Sequence, residues 1–352
     1  MPANPDNNWS LLGHLATGIG QGARFTQLDW AASQFLAECG IHPYPGTLNV
    51  LLSDGSQCAV WQQLKGTPGI RLHAGDSASC DARLYPVRIG GEVPATIVFP
   101  EVSGYPENQI EIVAAVALRE QLAIADGDPV RITRTNFDDI DTIIFDVDGT
   151  LLNSLDGYRV AAHRAAAAHG YAVTLKNVRE ALNSNRPFWE LVIPAERAAD
   201  ARFVKQLRHE TMQHWPAAMA AHVSVLPGAE FAFRKLRDSG FRLAIFTGSD
   251  GESLPILEDM GLLDFFDPII TGRHVKKRKP DPEGILRCLD VMAALPGESV
   301  YVGDSVTDVK ASQAAGVKSI SMLTGAGDSD SLSAAGTHRV LASLTGLPDV
   351  LV

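Results

Sequence analysis

Two carboxylates stand one residue apart, directly after an apolar run, in the segment Phe145-Asp146-Val147-Asp148-Gly149-Thr150. The run Thr142–Phe145 predicts a buried strand, and ligands of open parallel sheets bind beyond the carboxyl ends of the strands. Two acids at such an edge repel each other unless a cation or a proton lies between them. One carboxylate can attack phosphorus as a nucleophile, and the other can serve as general acid and base. The segment therefore predicts phosphoryl-transfer chemistry.

Two further segments add groups that suit a phosphate. Thr247 and Gly248 follow the apolar run Arg242–Phe246, and they offer a hydroxyl and an accessible backbone amide. Lys279 offers a cation shortly before a helix that is predicted to begin near Pro282. These groups are predicted to bind the phosphate oxygens.

A third segment adds two more acids. Asp304 and Asp308 follow the apolar run Val300–Val302. Together with Asp146 they form a hard, all-oxygen ligand set of the kind that Mg²⁺ prefers. We therefore expect a magnesium site at the same edge of the sheet.

A separate set of residues that could do chemistry lies before residue 134. The loop Gly18-Ile19-Gly20-Gln21-Gly22 lets backbone amides approach phosphates, but no Lys-Ser or Lys-Thr step follows it, so it is not a Walker A loop. Thr47 and Asn49 lie two residues apart on a predicted strand, so both oxygens face one side and suit Mg²⁺. Glu111, between two isoleucines, is a candidate base toward a hydroxyl group.

The elements that must position these groups differ between the two halves of the chain. Up to about residue 134, short β-prone runs with Gly and Pro turns predict a small barrel or sandwich. One helix is predicted at Leu28–Cys39, ended by Gly40. The predicted strands are Thr47–Leu52, Tyr85–Ile89, Ala95–Phe99, Gln109–Val113 and Pro129–Thr133.

From Ile140 onward, apolar runs alternate with helical segments, which is typical of a parallel sheet wrapped by helices. The predicted strands are Thr142–Phe145, Arg242–Phe246, Pro268–Thr271, Val300–Val302 and Ser319–Leu323. The predicted helices are Asp156–His169, Ala229–Ser239, Glu252–Met260, Glu283–Met292 and Val306–Ala315. An alanine-rich stretch over 155–223 reads as a helical insertion between the first two strands.

The length, charge and cysteine spacing of the chain limit the classes of protein to which it can belong. The 352 residues suggest about two domains, and the net charge of −11 argues against a nucleic-acid binder. No apolar run is long enough to span a membrane, and the first ten residues lack the features of a secretory signal. Four cysteines without CxxC spacing fit reduced thiols. We expect a cytoplasmic protein that uses neither a nucleic acid nor a membrane as partner; the oligomeric state is not predicted.

The part from about Ile140 to Leu341 resembles the haloacid dehalogenase superfamily, because the four segments with Asp146, Thr247, Lys279 and Asp304 occur in that family's order. It is most similar to the phosphoglycolate-phosphatase-like branch. The resemblance implies a Rossmann-like core with a helical cap and a phosphoaspartyl mechanism acting on a small phosphorylated metabolite. Asp146 would be the nucleophile, Asp148 the acid and base, Thr247 and Gly248 the phosphate ligands, and Lys279 the charge-neutralising group. Mg²⁺ would be held by Asp304, with Asp308 beside it, together with Asp146 and the backbone carbonyl of Asp148.

The part from about Leu12 to Thr133 resembles the archaeal-type, CTP-dependent riboflavin kinases, through the Gly18–Gly22 loop, Pro45–Asn49, Glu111 and Leu118–Arg119. The resemblance implies a cradle-like barrel that transfers a phosphoryl group from CTP to riboflavin and forms FMN. Thr47 and Asn49 would hold Mg²⁺, and Ser103 and Glu111 would contact the flavin, with Glu111 as base. The nucleotide would be held by Gly18, Ile19, Gly20, Gln21, Gly22, Ala23, Val116, Ala117, Leu118 and Arg119.

The sequence predicts a kinase-like domain at 1–135 and a phosphatase domain at 139–352, with its core at 139–154 and 224–352 and its cap at 155–223. Alternatives remain open at this point. The barrel could be a nucleotide- or flavin-binding regulatory module of a phosphatase, or a kinase for an acceptor other than riboflavin, and the second domain could be a phosphomutase. In the cap, Asn183, Asn185, Arg186, Phe188 and Trp189 are candidate contacts for the leaving group, or else simply pack the cap.

Overall fold

The computed structural model describes residues 9–18, 22–67, 69–76, 79–91, 93–134, 137–184 and 186–351. The chain divides into two compact units. The first comprises Met1–Phe137 with Ser329–Ala342, and the second comprises Asp138–Asp328 with Ser343–Val352. Among the described residues, no helix is both long and apolar enough to cross a membrane.

A closed antiparallel barrel forms the first unit. Its strands are β1 (Ser10–Ala16), β2 (Leu48–Leu51), β3 (Ile70–Leu72), β4 (Ala82–Ile89), β5 (Val93–Pro100), β6 (Gln109–Val113) and β7 (Pro129–Arg134). The order is β3-β4-β5-β6-β2-β1-β7, and pairing of β4 with β7 closes six of these strands into a barrel, with β3 attached outside. The prediction of a small barrel is confirmed.

Short helices accompany the barrel strands: α1 (Gly22–Thr26), α2 (Asp29–Cys39), α3 (Gly55–Lys65) and α4 (Leu118–Gln121). Helix α2 ends where Gly40 adopts the left-handed conformation, with φ 64°, as the sequence predicted. Its buried face, with Ala31 and Phe35, packs on Leu84 and Val98 outside the barrel. The segment 329–342 contributes α13 (Ser329–Ala334) and β15 (Arg339–Leu341).

Strand β1 and helix α3 were not predicted from the sequence. In β1 the residues alternate between exposed and buried, with Leu11 and Leu15 inside the barrel. Gly13 obscures this pattern, but the strand needs it, because a Cβ there would overlap Val50 and the Leu51 carbonyl of β2.

The second unit is built on parallel strands, which are β8 (Thr142–Phe145), β11 (Arg242–Phe246), β12 (Ile269–Ile270), β13 (Ser299–Gly303) and β14 (Lys318–Met322). Their order in the sheet is β12-β11-β8-β13-β14. A small antiparallel pair is formed by β9 (Leu152–Asn153) and β10 (Ser224–Val225). Strands β8 and β11 and helix α11 coincide with their predictions. Side chains such as Ile144, Phe246 and Tyr301 are fully buried in the core of this unit.

Helices flank the parallel strands and form the insertion. Those outside the insertion are α9 (Ala229–Asp238), α10 (Leu254–Asp259), α11 (Glu283–Met292), α12 (Val306–Ala314) and α14 (Leu347–Leu351). The insertion contains α5 (Leu155–Ala167), α6 (Leu175–Ser184), a 3₁₀ turn (Phe188–Leu191), α7 (Ala195–Ala198) and α8 (Ala201–His222). It has its own core, which includes Ala162, Trp189 and Leu207.

Candidate active sites

Three buried carboxylates meet at the carboxyl ends of neighbouring parallel strands. Asp146 follows β8, Asp304 follows β13, and Asp308 lies in the first turn of α12. Their exposed fractions are 7%, 1% and 2%, and one oxygen of each lies within 4.8 Å of the others. The sheet thus brings together the acids that the sequence grouped.

Backbone and hydroxyl donors fix two of these carboxylates. Asp304 accepts hydrogen bonds from Thr150 Oγ1 at 3.1 Å and from the Ala326 amide at 2.7 Å. Asp308 Oδ2 accepts from the Asp304 amide at 3.1 Å, the Ser305 amide at 2.9 Å and the Ser305 hydroxyl at 2.6 Å. These hydrogen bonds hold both oxygens of Asp304 and leave Asp308 Oδ1 in a fixed position, as a metal site requires.

Lys279 supplies the positive charge within this group. Its ammonium lies 2.8 Å from Asp146 Oδ1 and 2.7 Å from Asp308 Oδ1, and its side chain is only 8% exposed. Burial would lower its pKa, but the two carboxylates outweigh that effect and raise it, so the ammonium stays charged. Lys279, which was predicted from the sequence to supply a cation before α11, therefore contacts both Asp146 and Asp308 directly.

The charge balance of the site favours a divalent cation. Asp146, Asp304 and Asp308 carry three negative charges when ionised, and Lys279 returns one, which leaves a net charge of about −2. Burial raises the pKa of Asp146 to about 7 and that of Asp304 well above its ordinary value. The carboxylate oxygens match the preference of Mg²⁺, so these residues fit that ion.

The phosphate-binding candidates lie at the end of β11. Thr247 is 1% exposed, and its hydroxyl is 3.0 Å from that of Ser249. Within the described part of the chain, the Gly248 amide has no hydrogen-bond partner. A Cβ at Gly248 would lie 3.7 Å from Lys279 Cε, which places this amide beside the lysine side chain. A hydroxyl, an amide and an ammonium thus share one edge of the sheet.

Asp148 is half-buried and is not one of the three clustered acids. Its Oδ1 accepts a hydrogen bond from Ser253 Oγ at 2.8 Å, just before α10 begins at Leu254. The sequence did not indicate Ser253, because this serine lay within the predicted helix Glu252–Met260. This contact fixes the half-buried Asp148 carboxylate two residues from Asp146. Because Asp148 lines the cavity, its carboxyl group can exchange protons with a ligand or with water.

A cavity of about 820 Å³ extends from these strand ends to the helical insertion. Its floor includes Asp146, Thr247 and Lys279. Its side facing the insertion is lined by large side chains, namely Tyr158, Phe188, Trp189, Arg208, Met212 and Trp215. A ligand bound through phosphate at the floor would therefore extend toward the insertion.

The residues that were predicted to contact the leaving group have different surroundings in the structure. Phe188 and Trp189 line the cavity. Asn183 instead donates to the Ala326 carbonyl at 2.9 Å and accepts from the Val306 amide at 3.0 Å, so it ties the insertion to the strand-end loops. Arg186 is exposed and pairs with Glu180 at 3.2 Å. Asn185 lies outside the described residues.

A second polar cluster forms where β2 and β6 pair in the barrel. The register sets Asn49 opposite Glu111. Gln109 Nε2 donates to Asn49 Oδ1 at 3.0 Å and lies 3.5 Å from Glu111 Oε1. Asn49 Nδ2 is also 3.5 Å from Thr47 Oγ1. The structure therefore joins the candidate metal ligands to the candidate base, with Gln109 as an intermediary that the sequence did not suggest.

Tyr105 also contacts the candidate base. Its hydroxyl donates to Glu111 Oε1 at 3.2 Å. Burial raises the pKa of Glu111, although the hydroxyls of Tyr105 and Thr47 partly oppose that shift. Burial and the nearby Glu111 carboxylate raise the pKa of Tyr105, so the phenol remains a hydrogen-bond donor. Ser103, in the exposed turn before Tyr105, has no such contact with Glu111 among the described residues.

The ends of the glycine-rich loop lie against the same cluster. A Cβ at Gly18 would overlap the Asn49 amide group, and a Cβ at Gly22 would overlap the Thr47 hydroxyl. Glycine at both positions therefore lets the backbone approach Thr47 and Asn49 closely. Ala23 follows in α1, while Ile19, Gly20 and Gln21 lie outside the described residues.

The other nucleotide-binding candidates surround the start of α4. Val116 and Ala117 are half-buried before this helix, and Leu118 is buried at its first position. Arg119 pairs with Asp126 at 2.6 Å, and Asp126 also accepts a hydrogen bond from Thr17 beside the glycine-rich loop. Asp126 thus connects two segments that were predicted separately to bind the nucleotide.

Comparisons with known proteins identify the family to which the second part of the chain is similar. Residues 143–322 match the family model of the haloacid dehalogenase-like hydrolases. A phosphoglycolate phosphatase from Cereibacter sphaeroides is 38% identical over 181 residues, which are 50% of this chain and 82% of that protein.

Comparisons also place the first part. Residues 15–133 match the family model of CTP-dependent riboflavin kinases, described as "Domain of unknown function DUF120". A riboflavin kinase from Methanocella arvoryzae is 40% identical over 123 residues, which are 35% of this chain. The chain spans 56% of the length of that kinase.

Solved structures agree with the assignment of the second part. A haloacid dehalogenase-like hydrolase from Bacteroides fragilis has a TM-score of 0.53 at 27% identity, with 59% of this chain and 99% of that chain covered. A hydrolase from Pseudomonas syringae, at 23% identity and a TM-score of 0.51, covers 59% of this chain and 96% of its own, and shows the same fold. Both resemblances inferred from the sequence are confirmed: the chain belongs to the haloacid dehalogenase-like hydrolases, and it carries a riboflavin-kinase-like domain ahead of that part.

Proposed function

We propose that the second unit is a Mg²⁺-dependent phosphomonoester hydrolase that works through a phosphoaspartyl intermediate. The observation that carries this proposal is the Lys279 ammonium between Asp146 and Asp308, with an Asp304 oxygen within 4.8 Å of both acids. In this proposal the parallel sheet is a Rossmann-like core, and the insertion over 155–223 is its cap. We also propose that the kinase-like domain ends near residue 135 and that the phosphatase domain begins near residue 139, as expected from the sequence.

In this proposal the reaction has two steps, which are formation and then hydrolysis of the phosphoaspartate. An Asp146 carboxylate oxygen forms a bond to phosphorus while the ester P–O bond breaks, and Asp148 donates a proton to the departing alkoxide. Asp148, now a carboxylate, then takes a proton from a water molecule whose oxygen attacks the phosphoaspartate. The P–O bond to Asp146 breaks, and inorganic phosphate leaves. Ser253 orients Asp148 for both proton transfers through its 2.8 Å hydrogen bond.

Several groups counter the charge of the phosphoryl group during these steps. Thr247, the Gly248 amide and Lys279 lie where they can donate to its oxygens. Asp146, Asp304 and Asp308, together with the backbone carbonyl of Asp148, would hold Mg²⁺, which supplies further positive charge when bound. The chain's own donors position the phosphate for attack by Asp146.

Mg²⁺ is expected to raise the melting temperature of the protein, because the unfolded chain does not preserve the carboxylate cluster. A ligand at one hundred times its Kd stabilises the folded state by about 2.7 kcal/mol, which corresponds to a shift of several degrees. Differential scanning fluorimetry with and without Mg²⁺ measures this shift. Asp304→Asn should abolish most of it, while the exposed control Asp264→Asn should keep it. An equal shift in both variants would contradict the assigned site.

We also propose that the barrel transfers the γ-phosphoryl group of CTP to riboflavin, giving CDP and FMN. The Asn49–Glu111 pairing supports this, because it sets an acceptor of the hydroxyl proton beside neutral oxygen ligands for the metal–nucleotide complex. The residues 18–23 and 116–119 would hold the nucleotide, and Ser103 and Glu111 would contact the flavin. Thr47 and Asn49 would hold Mg²⁺ together with the phosphates.

The kinase proposal is tested with full-length protein that carries Asp146→Asn, so that the phosphatase cannot erase the product. Riboflavin, Mg²⁺ and either CTP or ATP are supplied, and FMN is separated by liquid chromatography. More FMN is expected with CTP than with ATP. Tight binding of CTP or riboflavin without transfer would instead favour a regulatory module. Transfer to another acceptor but not to riboflavin would favour a different kinase substrate.

A further inference from the structure

The cavity above the carboxylates is large compared with a phosphate group and a short carbon chain. Its volume of about 820 Å³ equals that of about 27 water molecules at their bulk volume of roughly 30 Å³ each. It also lies toward the upper end of the roughly 300–1,000 Å³ range of pockets for drug-sized ligands. The space toward the insertion therefore suits a bulky leaving group.

Three aromatic rings from different parts of the insertion form the wall of this space. Tyr158 of α5 lies edge-on to Phe188 of the 3₁₀ turn, with ring centroids 5.3 Å apart. It also lies edge-on to Trp215 of α8, at 6.5 Å. All three residues line the cavity, and Tyr158 and Phe188 are only half-buried, so part of their ring surface remains open to a ligand.

Two polar groups also line this part of the cavity. Among the described residues, the Tyr158 hydroxyl forms no hydrogen bond and the Arg208 guanidinium forms no ion pair, although both residues line the cavity. Arg278, by contrast, also lines it but already pairs with Asp250 at 2.6 Å. The Tyr158 hydroxyl and the exposed Arg208 guanidinium can therefore hydrogen-bond to polar substituents of a ligand in this cavity.

We propose that the preferred substrates are phosphomonoesters whose leaving group carries a planar aromatic ring, which packs against Tyr158, Phe188 and Trp215. This inference rests on the phosphatase function proposed above. The phosphate binds at the floor beside Lys279 and Thr247, and the ring occupies the space below the insertion. Aromatic rings pack favourably both face-to-face with an offset and edge-to-face, so this wall favours a flat ring over an aliphatic group of equal size.

Four primary phosphomonoesters test the proposal: ethyl, cyclohexylmethyl, benzyl and 2-naphthylmethyl phosphate. All are esters of primary alcohols, so the size and flatness of the group are the main variables. With full-length protein and Mg²⁺, kcat/KM is expected to be at least about tenfold higher for the naphthylmethyl ester than for the ethyl ester. It should also be several-fold higher for benzyl than for cyclohexylmethyl phosphate. Equal values, or a preference for ethyl phosphate, would overturn the inference.

Variants locate the preference on the aromatic wall. Tyr158→Leu and Trp215→Leu should each lower the naphthylmethyl-to-ethyl ratio of kcat/KM several-fold. Tyr171→Leu is a matched control, since Tyr171 packs against Phe203 within the insertion and does not line the cavity. Melting temperatures identify any variant that is unfolded, and two substitutions on different helices guard against the loss of one. A ratio that both variants leave unchanged would contradict the assigned wall.

A binding measurement separates this inference from the proposed function. If none of the four esters is hydrolysed, the phosphatase proposal fails, but calorimetry of the Asp146→Asn protein with the ethyl and naphthylmethyl esters still decides the substrate class. Binding at least about tenfold tighter for the naphthylmethyl ester supports the aromatic wall, and equal affinities refute it.

Discussion

Asp146→Asn is expected to lower kcat for phosphomonoester hydrolysis by roughly 10⁴-fold or more, because an amide cannot form the covalent intermediate. The bound phosphate would still meet Thr247, Gly248 and Lys279, so KM should change far less than kcat. The substitution also removes one charge from the three-carboxylate group, which lessens repulsion in the folded protein. Loss of activity through unfolding is therefore not the expected outcome.

Steady-state release of inorganic phosphate measures this effect, and melting temperature checks the fold. Asp238→Asn is the matched control, because Asp238 is exposed at the end of α9. Acid quenching during turnover of a ³²P-labelled ester should trap label on the control but not on the Asp146 variant. Near-normal turnover by Asp146→Asn would show that phosphorus is attacked by another group, and the phosphoaspartyl mechanism would then be wrong.

The sequence predicts that Asp146, Thr247 and Asp304 lie close together, because each of them follows the end of a strand. Apolar runs such as Thr142–Phe145 and Arg242–Phe246 are buried on both faces, so their bounds and the residues that follow them are easily recognised. Parallel pairing then brings Asp146, Thr247 and Asp304 to one edge. The grouping of residues far apart in sequence follows from this topology alone.

The supporting contacts could not be predicted in the same way. Ser253 bonds to Asp148, and Gln109 bonds to Asn49, only because loops and neighbouring strands bring them within reach. A single serine or glutamine carries no periodic pattern that indicates such a partner. Strand β1 was missed for a related reason, since Gly13 reads as a loop residue although it serves close packing against β2.

The aromatic wall shows the limit of interpreting a local cluster. Phe188 and Trp189 are adjacent in the sequence and are easily recognised as an aromatic pair. Tyr158 and Trp215 are separated from them by many residues, so the sequence does not group them with that pair. The packing of α5 against α8 brings the latter pair together at 6.5 Å. The shape of a cavity wall built from several helices thus depends on tertiary packing, which the sequence alone leaves undetermined.

Glu111→Gln is expected to lower kcat for FMN formation from CTP and riboflavin by about 10²- to 10⁴-fold, the usual contribution of a general base. Glutamine keeps the shape of the side chain and can still meet Tyr105 and Gln109, but it cannot accept the proton of the attacking hydroxyl. The apparent KM for CTP should change little. Asn49→Ala, by contrast, should chiefly raise the KM for the Mg²⁺–CTP complex, because Asn49 is assigned to metal binding rather than to proton transfer.

The measurement uses full-length protein in the Asp146→Asn background, with initial rates of FMN formation over a range of CTP concentrations. Glu107→Gln is the matched control, since Glu107 is an exposed acid four residues before Glu111 in the same part of the chain. Wild-type-like turnover by Glu111→Gln would move the base elsewhere. Asn49 and Glu111 would still be paired across β2 and β6, since that pairing does not depend on which group removes the proton. In that case their proposed role would be limited to binding the Mg²⁺–CTP complex and riboflavin.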